Sequence, residues 1–207
     1  MKLYHCQGAR SLRCVWALEE MGLDYELVTL QFPPRVFDKS YKEVNPLGTV
    51  PCLIDGEVMM TESAGICEYL GVRYGPTPLA LTPEEEDYGA YLNWLHRSDA
   101  TLTFPQTLVL RYYYLEPIPE KQAVADDYSK WFIARLKRLD AHLENNDYLV
   151  DGRFTIADIA VGYALFLGTV LKLEEHYTPQ TREYLERLKA RPGFKRANGF
   201  GEPLKLA

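Results

Sequence analysis

Asn45-Pro46-Leu47-Gly48-Thr49-Val50-Pro51-Cys52-Leu53-Ile54-Asp55-Gly56-Glu57-Val58-Met59-Met60-Thr61-Glu62-Ser63 places four structural devices within nineteen residues. Pro46 and Gly48 make an irregular approach. Val50-Pro51 is an X-Pro bond, whose cis form costs little and turns the chain sharply. Cys52-Leu53-Ile54 and Val58-Met59-Met60 are short apolar runs flanking Asp55-Gly56, a strong signal for a two-stranded hairpin. Thr61-Glu62-Ser63 then opens a helical pattern through Ala64, Ile66, Cys67 and Leu70, so unpaired N–H groups and the positive dipole end face outward at Ser63. A turn, a hairpin and a helix start ready for an anion outline a binding site.

Toward the N-terminus, Lys2-Leu3-Tyr4-His5 reads as a short buried strand. Gly8 breaks it. From Ser11 a helical period runs through Leu12, Val15, Trp16, Leu18 and Met21 to a stop at Gly22. Tyr25 to Leu30 is a second strand, which makes a βαβ unit with a right-handed crossover. Residues Gln31 to Val44, with Pro33-Pro34 and no clear period, read as a loop with room for a short helix. The order β-α-β-loop-β-β-α predicts a four-stranded mixed sheet with helices over residues 1–76, closed by the linker Gly75-Pro76-Thr77-Pro78.

Beyond the linker no strand pattern remains, and residues 82–207 read as all-helical. Thr82-Pro83-Glu84-Glu85 has the form of an N-cap, Pro at N1 and an acidic first turn. Tyr88, Tyr91, Leu92, Leu95, Leu102, Leu108 and Tyr112 mark a long helix, bent before Pro105. Glu116-Pro117-Ile118-Pro119 ends it. A second helix runs from about Lys121 to Glu144 with Val124, Tyr128, Trp131, Phe132, Leu136, Leu139 and Leu143 on its apolar face. Phe154-Thr155-Ile156-Ala157-Asp158-Ile159 is a capping box with a hydrophobic staple, and the following helix, apolar nearly all round, must be central. Thr178-Pro179 begins another helix, which Arg191-Pro192-Gly193 ends.

The chain of 207 residues is 47% hydrophobic and carries a net charge of −6 with no Lys/Arg block, which argues against a nucleic-acid partner. No apolar run approaches the roughly 20 residues of a membrane span, and no leader pattern follows Met1, so a cytoplasmic location is expected. The four cysteines, Cys6, Cys14, Cys52 and Cys67, have neither C-x-x-C nor metal spacing; free thiols and no metal are expected.

Four motifs in order, Tyr4…Ser11-Leu12-Arg13…Leu18-Glu19-Glu20, Asn45 to Pro51, Thr61-Glu62-Ser63 and Phe154 to Asp158, resemble those of the cytosolic glutathione transferases of bacterial type, across essentially the whole chain. The resemblance implies a thioredoxin-like N-terminal domain, an all-α C-terminal domain, glutathione as co-substrate, a detoxifying transferase activity and a homodimer. Glutathione is an extended anionic tripeptide. Val50 backbone beside Pro51 can pair with its cysteinyl segment by strand addition, with Thr49 adjoining. Ser63 and the helix-start N–H groups suit the γ-glutamyl carboxylate, and Glu62 suits the amine. Lys39 or Lys42 is placed for the glycyl carboxylate.

The thiol, with an ordinary pKa of about 8.5, must ionise to attack. The family places Ser, Tyr or Cys in the loop before the first helix. Here those positions are Gly8, Ala9 and Arg10, a departure that leaves Ser11 as the hydroxyl at the helix start and Arg10 as a charge that can stabilise the thiolate. Cys6 and His5 are lesser candidates, and Ser11 can equally be a simple N-cap. The resemblance puts the electrophile between the domains, where His96, Phe104, Leu108, Arg111, Tyr112 and Phe166 offer an aromatic wall for a flat apolar compound. Arg111, if buried, needs a partner. Two classes stay open: a transferase, with dehalogenase, isomerase and ether-cleaving variants on the same thiolate, and a non-catalytic or weakly catalytic binding module of the same fold. A thiol–disulfide role through Cys6 is a third reading.

Overall fold

A computed structural model describes residues 1–201. They divide into two compact units, Met1–Ala80 together with the described residues from Ala190 onward, and Leu81–Lys189.

The first unit is a four-stranded sheet in the order β2-β1-β3-β4: β1 Lys2–His5, β2 Glu26–Thr29, β3 Cys52–Asp55 and β4 Val58–Met60. β1 and β2 run parallel, joined through α1 (Leu12–Met21), with Leu3 opposite Leu27. β1 and β3 are antiparallel, Tyr4 opposite Cys52, and the Asp55-Gly56 turn folds β4 back on β3. Gly56 has φ +59°, the left-handed conformation such a turn needs. Between β2 and β3 lie two one-turn helices, α2 (Pro34–Phe37) and α3 (Tyr41–Val44). The Val50–Pro51 bond is cis, as are Phe32–Pro33 and Gly75–Pro76. α4 (Ser63–Arg73) follows the hairpin and packs on α1.

α1 is buried all round from Leu12 to Leu18, more than one apolar stripe would require. Its outer side is covered by α11 (Pro192–Ala197), a separate helix where Arg191-Pro192-Gly193 reads as the end of the preceding one. Trp16 meets Phe194 edge to face at 4.9 Å, and Arg191 grips Glu20 through two bonds of 2.9 and 2.7 Å. Glu20 also accepts from Trp16 Nε1 at 3.0 Å. A thirteen-per-cent-aromatic chain thus uses its last described helix to complete its first unit.

The second unit contains helices alone apart from one isolated bridge, Val150 to Arg153. Its first helix, α5 (Tyr88–Arg97), begins later than Thr82-Pro83 suggested. Glu85 is committed elsewhere: one carboxylate oxygen accepts from the Thr82 N–H and the other from Arg153, both at 2.6 Å. The stretch 82–87 is therefore a pair of turns, and the helix starts after Asp87. α5 continues through a π segment (Ser98–Thr103) into α6 (Phe104–Leu110), with Pro105 in its first turn. The Phe104 N–H bonds the Asp99 carbonyl, five residues back, so the helix is widened immediately before Pro105, where a regular turn has no N–H to use. α7 (Gln122–Arg135) and α8 (Lys137–Leu143) divide at Leu136 what reads as one helix. Ala125, Phe132, Leu136 and Leu139 form the buried face, while Trp131 is 51% exposed, with the Arg135 guanidinium over its ring at 3.8 Å.

α9 (Ile156–Val170) is buried almost throughout, and α10 (Pro179–Lys189) packs against it. The capping box is present. Asp158 accepts four hydrogen bonds, from the N–H groups of Thr155 and Leu149 and the hydroxyls of Thr155 and Tyr184, at 2.8–3.0 Å. Burial still pushes its carboxyl up to about 6.

Candidate functional site

Three segments of the first unit carry the predicted residues. The first is the turn between β1 and α1. Gly8 takes φ +74°, and the Ala9 N–H bonds the Cys6 carbonyl at 3.1 Å, which folds the chain tightly into the helix. Ser11 corrects the expectation placed on it. It is fully buried with helical φ and ψ, and its hydroxyl turns back to β1, 2.8 Å from His5 Nδ1 and 3.2 Å from the Cys6 N–H it accepts. A hydroxyl so occupied ties strand to helix; it neither caps α1 nor points to solvent. Cys6 is 1% exposed and burial pushes its thiol up to about 12, so it lacks the thiolate that disulfide exchange requires. His5 is buried as well, and desolvation lowers it to about 4. Arg10 lies at the part-exposed edge of this turn.

The second segment is the loop before β3. Asn45, 1% exposed, organises it: its Nδ2 donates to the Thr49 carbonyl at 2.8 Å, its Oδ1 accepts from Leu47 N–H at 3.1 Å, and its own carbonyl accepts from Gly48 N–H at 2.8 Å. The Tyr41 hydroxyl donates to the same Thr49 carbonyl at 2.8 Å. Two donors thus fix the peptide plane immediately before Val50. Val50 is half-buried and precedes the β1–β3 ladder, whose register ends with Tyr4 opposite Cys52. Gly48 sits at φ +61° with Arg35 so close that a Cβ would fall 2.8 Å from Arg35 Cβ; Lys42 Cε lies 3.6 Å from the same point. Lys39 is exposed in the turn before α3, whereas Arg35 and Lys42 border the loop itself.

The third segment is the start of α4. Glu62 occupies the N-cap with extended backbone, is exposed, and makes no capping bond with its side chain. Its carboxylate is therefore not spent on the helix. Ser63 is 2% exposed, and its hydroxyl accepts at 2.9 Å from Nη1 of Arg13, a fully buried guanidinium on α1. Asn45, Tyr41 and Arg13 escaped the sequence reading as individual site residues. Arg13 offered a signal, a charge inside an apolar run; the hydrogen bonds of Asn45 and Tyr41 are tertiary and offered none.

The predicted electrophile residues lie in the second unit. His96 is exposed, and Leu108 and Phe166 are half-buried. Phe104 is 52% exposed with its ring edge to face with Tyr128. Arg111 is exposed and not buried: it pairs with Glu116 at 2.9 Å and lies over Tyr112, which Lys121 approaches also. Two open cavities of this unit, of ≈ 290 Å³ at Leu143–Asp147 and ≈ 520 Å³ around Trp94 and His142, are lined by none of these six residues. Among the described residues no group of three His, Cys, Asp or Glu could hold a metal, and no helix is long and apolar enough to cross a membrane.

A thioredoxin-like sheet presenting a proline-bordered loop and an open helix start, with an all-helical unit, defines the architecture of the glutathione transferases. The family model for the glutathione S-transferase N-terminal domain matches residues 9–73, and that for the C-terminal domain matches 107–192. "Glutathione S-transferase 3" of Schizosaccharomyces pombe is 30% identical over 180 residues, 79% of this chain and 72% of that one. "Protein LigF" of a Sphingobium species is 27% identical, over 94% of this chain and 91% of its own. Among solved structures, a ternary complex of BphK, a bacterial transferase, is similar with a TM-score of 0.83 at 25% identity, covering 96% of this chain and 98% of that one. A sphingomonad glutathione S-transferase complexed with glutathione gives 0.82, also at 25%, covering 96% and 97%. The chain belongs to the glutathione S-transferase family.

Proposed function

We propose that this chain binds glutathione along the Thr49–Pro51 loop and the start of α4, and transfers its thiolate to a hydrophobic, aromatic electrophile. The observation that carries the reading is the doubly held Thr49 carbonyl. With that peptide fixed by Tyr41 and Asn45, the next peptide group, at Val50, is preorganised for an extended backbone beside it. Glu62 then takes the γ-glutamyl amine and Ser63 its carboxylate, while Lys42 or Arg35, nearer to the loop than Lys39, takes the glycyl carboxylate. That glutathione is present in the sphingomonad complex supports the ligand.

With Ser11 and Cys6 both interior, Arg10 is the group we assign to thiolate stabilisation, by charge rather than by a donated hydroxyl proton. The thiol loses its proton to solvent; the thiolate then forms a carbon–sulfur bond as the carbon–halogen or carbon–oxygen bond breaks and the leaving group departs with the electron pair. The electrophile is assigned to Phe104, Leu108, Tyr112, His96 and Arg111, the chain is assigned to the cytoplasm as a homodimer, and the catalytic and helical roles follow the two-domain division. Turnover of a halonitroarene tests this: Arg10→Gln should lower kcat/KM about tenfold or more with glutathione affinity little changed. Unchanged turnover removes Arg10 from the chemistry. A second reading, a binding module without transferase activity, draws on the absence of a free hydroxyl at Ser11; it predicts glutathione binding with no turnover by the wild type.

A further inference from the structure

We propose that the Arg138 side of the ≈ 520 Å³ cavity in the second unit is a separate ligand site, which takes the dianionic head of a small phosphate monoester, with Arg97 and Arg135 adding charge beside it. None of its residues is assigned to glutathione or to the electrophile. Arg111, Arg153, Arg187, Arg191 and Arg196 each pair with a carboxylate. Among the described residues no carboxylate pairs with Arg97, Arg135 or Arg138. In a chain of net charge −6, three neighbouring arginines without an acidic partner stand out from the rest of the surface. The Arg138 guanidinium, from α8, lies 5.7 Å from the Trp94 ring centroid, and that of Arg97, from α5, lies 5.9 Å from the same point. Arg97 Nη2 donates to the Arg135 carbonyl at 3.0 Å, while its Nε is buried with no partner. Burial, and then the charges of Arg138 and Arg135, hold Arg97 below its ordinary value. The free chain therefore carries a repulsion that a bound anion relieves.

The cavity gives that anion room. Trp94, Arg138 and His142 are in its wall, with Trp94 and His142 edge to face at 5.4 Å. A hydrogen bond of 3.0 Å between His142 Nε2 and the Tyr148 carbonyl fixes the imidazole. Two carboxylates also line the cavity, and both are engaged: Asp87 accepts from the Asp151 N–H at 2.8 Å, and Asp151 pairs with Arg153. They repel an anion from their side and leave the Arg138 side for its head. A guanidinium fork matches phosphate oxygens, and a phosphate monoester carries nearly two negative charges at neutral pH, where a carboxylate or a sulfate ester carries one. Several cations close together favour the higher charge. The cavity is larger than a phosphate group, so the organic part of the ester extends along it.

Isothermal titration of the full chain in phosphate-free buffer decides it, with phenyl phosphate, phenyl sulfate and inorganic phosphate as probes. Phenyl phosphate should bind about tenfold tighter than phenyl sulfate, which has the same shape and one charge fewer, and tighter than inorganic phosphate, which has no body for the cavity. Arg138→Gln should weaken phenyl phosphate about tenfold and phenyl sulfate by less, so that the two converge, and Arg97→Gln should weaken phenyl phosphate about threefold. Arg138→Glu should abolish binding and, by giving Arg97 a partner, raise the Tm of the ligand-free protein by about 1–2 °C. Should Arg97→Gln fail to fold, the variants at the exposed Arg138 carry the test. Wild type that binds no phenyl phosphate, equal affinity for phosphate and sulfate esters, or wild-type affinity in Arg138→Gln overturns the proposal. A Tm that falls in Arg138→Glu shows that the cluster is not repulsive and overturns it as well. Binding of phenyl phosphate that glutathione abolishes puts the anion in the glutathione site and refutes this inference alone.

Discussion

Replacing Asn45 by Ala isolates what holds the loop before Pro51. The substitution removes the bond to the Thr49 carbonyl and the bond from Leu47 N–H. Each is worth about 1 kcal/mol net. Leu47 is 64% exposed, so water can replace its lost partner. Tyr41 still donates to Thr49. The expected loss of stability is therefore about 1–2 kcal/mol, or roughly 3–6 °C in Tm for a chain of this size. Binding should suffer separately: a loop that must be ordered by its ligand loses about tenfold in affinity. Tyr41→Phe should cost about 1 kcal/mol, and the double variant more than the sum, since the Thr49 peptide is then unheld. Its phenol, raised well above its ordinary value by burial, remains a donor throughout the working pH range. Denaturant unfolding and glutathione titration on the four proteins complete the cycle. An Asn45→Ala protein that is less stable yet binds glutathione with wild-type affinity would refute the reasoning.

Other consequences are equally measurable. His5 is held at about 4 against an ordinary value of about 6.5, so the unfolded chain binds its proton first; stability from this group is complete above pH 6.5 and is lost as pH falls toward 4, by about 3 kcal/mol in total. Asp158 has the opposite sign, its raised carboxyl favouring the folded state as pH falls from about 6, so the difference between wild type and His5→Gln across pH 4–7 isolates the histidine. Gly193→Ala would set a Cβ 2.6 Å from the Glu20 carboxylate, itself held by Trp16 and Arg191, and should cost about 1–3 kcal/mol in unfolding measurements, Arg191→Ala acting on the same contact. All four cysteines are buried, so Ellman's reagent should titrate none in the native protein and four after denaturation.

Much of the architecture was legible because local chemistry and global fold agree. Asp55-Gly56 between apolar runs is the hairpin, Gly22 is the α1 stop, and Thr155 to Asp158 is a capping box with both bonds made. Periodicity failed where tertiary contacts override it. α1 looked amphipathic because the sequence does not announce that Pro192–Ala197 covers its outer side. Trp131 looked like core at helical spacing but is covered by Arg135 at the surface. Thr82 to Glu85 has the composition of a helix start, yet Arg153, far along the chain, claims Glu85. At the site, residue types were readable and their orientations were not. Ser11 reads as a hydroxyl at a helix start; its direction toward His5 and Cys6 is set by the Gly8 turn. Arg13 reads as a charge inside an apolar run, but its partner becomes visible only when α4 brings Ser63 beside it.

Heteronuclear NMR titration of the uniformly labelled chain locates glutathione on it. Saturable shifts should concentrate at Thr49, Val50 and Cys52 and at Glu62 to Gly65, with the Arg10 amide following. Saturable shifts confined to other residues, or no shifts at millimolar glutathione, would contradict that placement.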